Sequence, residues 1–75
     1  MEEQLIQLNY PNSLLNTPVI NQLIQRYPEL GVNIIQAKIT PIEGMIELQL
    51  VGHSTMIESA ILWLKELGID LQILG

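Results

Sequence analysis

Two periodicities alternate along this chain and divide it into six segments. From Gln4 to Tyr10 the apolar residues Ile6, Leu8 and Tyr10 share one parity, with Gln7 and Asn9 on the other, which is the period of a half-buried strand. Pro11-Asn12-Ser13 breaks that pattern with turn-forming residues. Thr17-Pro18 then reads as an N-cap hydroxyl followed by proline at the first helical position. Val19, Ile20, Leu23, Ile24 and Tyr27 recur at helical spacing, and Tyr27-Pro28 marks the exit before Gly31 redirects the chain.

Period two returns with Ile35, Ala37 and Ile39, and again with Ile46, Leu48 and Leu50. Pro41-Ile42-Glu43-Gly44 separates the two runs as a turn. A hairpin closed over it sets Thr40 opposite Met45, Lys38 opposite Glu47, Gln36 opposite Gln49 and Ile34 opposite Val51. Thr55-Met56-Ile57-Glu58 fits a capping box, and the helix after it carries an apolar stripe of Ile57, Ala60, Ile61, Leu64 and Leu67. Gly68 suits its C-terminal cap, and Ile69 to Leu74 alternates as a last strand.

The order is β-α-β-β-α-β. Right-handed crossovers fold such a chain into a ferredoxin-like α+β domain. The expectation is a four-stranded antiparallel sheet in the order fourth, first, third, second, with two helices on one face and residues 1–75 forming one domain. The opposite face has no cover from within the chain. By parity it carries Leu5, Gln7 and Asn9, then Ile34, Gln36, Lys38 and Thr40, then Glu47, Gln49 and Val51, and finally Asp70, Gln72 and Leu74. One glutamine per strand mixed with aliphatics is neither a dry core nor a charged solvent face. A domain of this size buries only about 60% of its unfolded surface, so association with a second copy is the expected remedy.

Composition narrows the chemistry. The 75 residues are 48% hydrophobic and 15% charged, which places the chain among packed globular domains. Cysteine is absent, which excludes disulfide scaffolds, thiolate metal sites and a cysteine nucleophile. Three Lys/Arg against eight Asp/Glu give a net charge of −5, so counterion release cannot drive binding to nucleic acid or to an anionic membrane. A basic, apolar leader is missing, no run approaches a membrane span, and the expected location is the cytoplasm.

Catalytic sets are not evident either. His53 is the only histidine, in a loop beside Ser54 and Thr55, with no converging partners. Glu43, Glu47 and Asp70 are too scattered for a metal site, and no phosphate-binding glycine loop occurs. No enzyme activity, cofactor or metal is expected, which leaves binding. Small regulatory domains of this topology place ligands between two copies, where the first loop meets strand ends. The polar residues near such a position are Asn12, Ser13 and Asn33. Asparagine offers a donor pair and an acceptor, which suits the α-ammonium and α-carboxylate of an amino acid.

A family resemblance adds to this reading. Gly31-Val32-Asn33-Ile34-Ile35-Gln36-Ala37-Lys38-Ile39, then Gly44, Ala60-Ile61-Leu62-Trp63-Leu64-Lys65-Glu66 and Ile73-Leu74-Gly75 resemble the NIL domain. That is the ACT-like regulatory domain at the C-terminus of bacterial methionine-importer ATPases. The likeness covers nearly the whole chain and is strongest from Gly31 onward. It implies a domain that dimerises, binds methionine and thereby inhibits transport. It also implies that Asn33, at the opening of the second strand, contributes to the ligand site, with Ile34 and Ile35 matching the apolar pair that follows. Read as starting at its own Met1 without an ATPase domain, the chain is expected to be a free-standing regulatory homodimer that binds methionine or another amino acid. The alternative is a protein–protein interaction or oligomerisation module without a metabolite.

Overall fold

The computed structural model describes residues 1–14 and 17–75, with Asn12 described by its backbone alone. Strand β1 (Glu2–Tyr10) leads through a 3-10 turn (Asn12–Leu14) into helix α1 (Val19–Arg26). Strands β2 (Gly31–Ile39) and β3 (Gly44–Gly52) follow, then helix α2 (Ser54–Glu66) and strand β4 (Asp70–Ile73). The strands form one antiparallel sheet in the order β2-β3-β1-β4. This is the ferredoxin-like α+β arrangement that the alternation of periods predicts.

The core follows the parity reading in β1 and β3 but not in β2, where Ile35, Ala37 and Ile39, expected on the core side, are exposed because the helices do not reach that edge. Ile6, Leu8 and Tyr10 of β1 and Ile46, Leu48 and Leu50 of β3 are buried against Val19 and Leu23 of α1 and Ile57, Ala60 and Leu64 of α2. Ile61 and Leu67, also expected on that stripe, are partly buried at its margin. Aromatic contacts tie the helices together. Tyr27 meets Trp63 edge to face at 6.3 Å between centroids, and its hydroxyl donates to Ser59 O at 3.2 Å. The Arg26 guanidinium lies 5.7 Å from the Trp63 ring centroid.

Helix ends depart from the expected caps. Pro18, not Thr17, is the N-cap of α1, and no side chain caps it. His53 is the N-cap of α2, so Thr55 lies inside the helix, where its carbonyl accepts from Ser59 Oγ at 2.9 Å; no capping box forms. The C-terminal expectation holds: Gly68 follows the cap with φ +90° and donates to Lys65 O at 3.0 Å, a left-handed position that favours glycine.

The β2–β3 hairpin closes two residues tighter than expected. Ile39 pairs with Gly44, and Gln36 faces Glu47. The cause is the turn itself. Thr40 N donates to Glu43 O at 2.8 Å, and the Thr40 hydroxyl accepts from the N–H groups of Ile42 (3.4 Å) and Glu43 (3.1 Å). The turn is therefore Thr40–Glu43, with Pro41 at its second position, where proline's fixed φ is favoured.

A bulge at Ile35 shifts the register once more. Beyond it, Asn33 pairs with Gln49 and Ile34 with Leu48. One inserted residue exchanges the two faces. Ile34, expected on the uncovered face, thus lies on the helix side, and Asn33 takes its place. The uncovered face is otherwise as expected, with Met45 added. Its rows run straight across the sheet: Gln36, Glu47, Gln7 and Gln72 form one, and Lys38, Met45, Asn9 and Asp70 another.

Candidate functional site

Strand β2 is an edge, and the helices leave it bare. Every residue in it is exposed except Val32, which packs partly against the core. Ile34, Ile35 and Ile39 are 56%, 53% and 60% exposed. Three such isoleucines on a nine-residue edge, with its outer backbone groups unpaired within the sheet, make a template for another strand.

At the β1 end of the molecule lies a concavity of about 220 Å³ between the start of α1 and the sheet. Its walls include Tyr10, Thr17, Pro18, Val19, Ile39 and Ile46. The Tyr10 hydroxyl is buried without a hydrogen-bond partner among the described residues. Burial, which disfavours the charged phenolate, pushes its pKa from 10.0 up to about 12. The group is therefore a neutral donor at physiological pH. The neighbouring N-terminus of α1 has no side-chain cap, and its Val19 N–H donates to Thr17 O at 2.8 Å.

The four residues singled out from the sequence fall into two places. Asn33 and Ile34 open β2; the Asn33 side chain is exposed on the uncovered face, where Nδ2 donates to Gln49 Oε1 at 3.3 Å. Ser13 sits exposed in the turn after β1, held by Leu14 N donating to Pro11 O at 2.9 Å. The side chain of Asn12 lies outside the described residues. Asn33 is level with Leu5 of β1 through Gln49, while Ser13 lies beyond Tyr10. Five residues of strand, about 17 Å, separate the two levels. One chain does not bring these groups together.

The residues that sequence reasoning missed are Tyr10 and Ile39 at the concavity. The available signal was a tyrosine on the core parity at a strand end, where a phenol needs a partner that the core cannot supply. No group of three or more His, Asp or Glu able to hold a metal occurs among the described residues.

Comparison with known proteins agrees with this architecture. The family profile of the NIL domain matches residues 4–72. The chain belongs to the NIL family. This NIL domain is 32% identical to an uncharacterized protein of Synechocystis sp. over 71 residues, 92% of this chain and 72% of that protein. It superposes on the C-terminal domain of an ABC transporter ATP-binding protein from Enterococcus faecalis with a TM-score of 0.81 and 26% identity, covering 96% of this chain and 83% of that one. The designed protein Ferredog-Diesel shares the fold at a TM-score of 0.64 and 14% identity, over 99% of this chain and 85% of its own. NIL domains are regulatory domains of transporter ATPases and not a catalytic family, so this chain is a regulatory domain in general character. No helix among the described residues is long and apolar enough to cross a membrane.

Proposed function

We propose that this NIL domain is a cytoplasmic regulatory module that binds an amino acid, methionine first among them, between two copies joined along β2. The observation that carries the reading is the bare β2 edge with its three exposed isoleucines. Antiparallel pairing of two such strands about a twofold axis satisfies the edge and covers the isoleucines. It also sets the start of one β2 beside the end of the other. Asn33 and Ile34 of one copy are thereby carried toward the Ile39 and Tyr10 end of its mate, across the distance that separates them within one chain.

A ligand at that seam meets complementary groups. Asn33 marks the opening of β2 in this reading, and Ile34, on the helix side with the concavity, offers an apolar contact. The mate contributes Asn12 and Ser13 from its first loop, the start of α1 and the Tyr10 hydroxyl, which has no partner among the described residues, and such groups suit a carboxylate. The aliphatic or thioether side chain of the amino acid enters the concavity beside Ile39 and Ile46. No bond is made or broken. Occupancy stabilises one dimer geometry, and a partner responds only as far as the ligand distinguishes two states.

Thermal unfolding against a panel of amino acids tests this. Methionine, or the true ligand, at 100 times its dissociation constant adds about 2.7 kcal/mol. For a domain of this length that is a rise of about 10 °C or more. Asn33→Ala removes the rise while leaving the unliganded melting temperature close to the parent's. If no amino acid shifts a protein that sediments as a dimer, the chain is an assembly module without a metabolite.

A further inference from the structure

Toward the opposite edge of the sheet from β2, a second groove lies between α2, the start of β1 and the edge strand β4. Its volume is about 390 Å³. Ile57, Ile61, Leu62 and Ile73 line it, and of these Leu62 and Ile73 are 58% and 54% exposed. Large aliphatics exposed in one concave patch, unlike single ones scattered over a surface, mark an interaction site. Glu2 and Glu3 stand at the end of this groove where α2 begins, Glu58 follows just over one turn into α2, and Lys65 lies near its far end. The polarity follows from the topology. Gly52 pairs with Glu2, so α2 sets out from the Glu2 end of β1 and runs along it, carrying Lys65 away from these carboxylates.

We propose that this groove docks an extended segment of a partner protein, with a basic residue leading two or three aliphatic ones. Three observations select that occupant. The first is shape. The groove runs beside α2 from Ser54 to Lys65, about 16 Å at 1.5 Å per residue. That length matches about five residues of extended chain. The second is charge. Three carboxylates toward one end and one ammonium near the other attract a segment whose cation enters beside Glu2, Glu3 and Glu58. The third concerns the alternative of a second copy. This chain carries a net charge of −5 with only Arg26, Lys38 and Lys65 as cations, so a like molecule brings repulsion to the acidic end. The groove lies on the far side of the sheet from the β2 edge, so its occupation does not depend on how two copies pair.

Fluorescence anisotropy with the full chain and two labelled peptides tests the proposal. One is Lys-Lys-Leu-Ile-Leu-Glu, and the other, Glu-Glu-Leu-Ile-Leu-Glu, offers no cation to the acidic end in either chain direction. The first binds and the second binds at least about tenfold more weakly. Glu2→Lys with Glu58→Lys weakens the first peptide at least about tenfold and reverses the preference, whereas Ile34→Lys at the other edge leaves it unchanged. Leu62→Asp, at a position exposed enough to keep the fold, weakens both. The proposal is overturned if neither peptide binds below ~1 mM, if the two bind equally, or if Ile34→Lys and not the groove variants abolishes binding. Displacement of the peptide by free methionine also overturns it, because the groove is then a small-molecule site.

Discussion

Replacing Tyr10 by phenylalanine deletes a single oxygen from the wall of the α1 concavity. In the parent that hydroxyl is buried and has no partner among the described residues, while its ring is only 8% exposed and packs in the core. A hydroxyl stripped of water and left unpaired costs about 1–3 kcal/mol, and the substitution keeps the ring and its contacts. Tyr10→Phe is therefore expected to stabilise the unliganded protein by about 1 kcal/mol or more, a rise of about 4–8 °C in melting temperature for a domain of this length. The direction is unusual for a core substitution, since most destabilise.

The same atom sets a pH signature. Folding raises the phenol's pKa from 10.0 to about 12, so between those values the unfolded chain has released a proton that the folded chain retains. Stability from this group is whole below pH 10 and is lost as pH rises toward 12. Two units are worth about 2.7 kcal/mol for a fully sealed group, and partial solvation at the concavity lowers that to about 1–2 kcal/mol. Urea unfolding of parent and Tyr10→Phe at pH 7, 10 and 11.5 isolates the effect, because other alkaline titrations are common to both. The advantage of the variant widens above pH 10. In the presence of a binding amino acid the order at pH 7 narrows or reverses, because the parent's hydroxyl then has an acceptor. A variant less stable than the parent at pH 7, with a gap that does not change to pH 11.5, refutes the reasoning that the hydroxyl is an unsatisfied donor.

Further expectations concern the scaffold. Leu48→Ala empties the centre of the sheet at a fully buried position and costs about 2–5 kcal/mol, measured as a lower urea midpoint with an unchanged slope. Gly68→Ala meets no atom within 4 Å but must hold φ near +90°, so it loses about 1 kcal/mol to backbone strain alone. Trp63→Leu removes the edge-to-face contact with Tyr27 and the Arg26 stacking, and its thermal unfolding shows a loss of about 1–2 kcal/mol beyond the apolar area removed.

The sheet and its core were legible because burial on one face imposes strict parity. Ile6, Leu8, Ile46, Leu48 and Leu50 could occupy only one side. The hairpin register was less legible. Thr40 supplies its hydroxyl to the turn, which moves the turn one residue back from the proline–glycine span that marks it. The bulge at Ile35 left no mark in the pattern, because Ile34 and Ile35 are both apolar and either could face the helices. Edge strands specify register weakly for that reason. The site was legible only in halves. Asn33, Ile34 and Ser13 are where strand starts and turns belong, but their separation of about 17 Å follows from pairing, which no local pattern encodes. Tyr10 was hidden by its own regularity, as a core residue whose polar end shows only when its surroundings are assembled.

The claim on which the function turns is that two copies join along β2, and sedimentation equilibrium of the parent and of Ile34→Lys with Ile35→Lys tests it most directly. Charges on an edge strand oppose pairing, and both side chains are more than half exposed, so the variant keeps its fold. The account predicts a parent mass of twice 8.5 kDa and a variant mass of 8.5 kDa, with circular dichroism unchanged between them. A parent that remains at 8.5 kDa at every concentration, or a variant that stays dimeric, contradicts it.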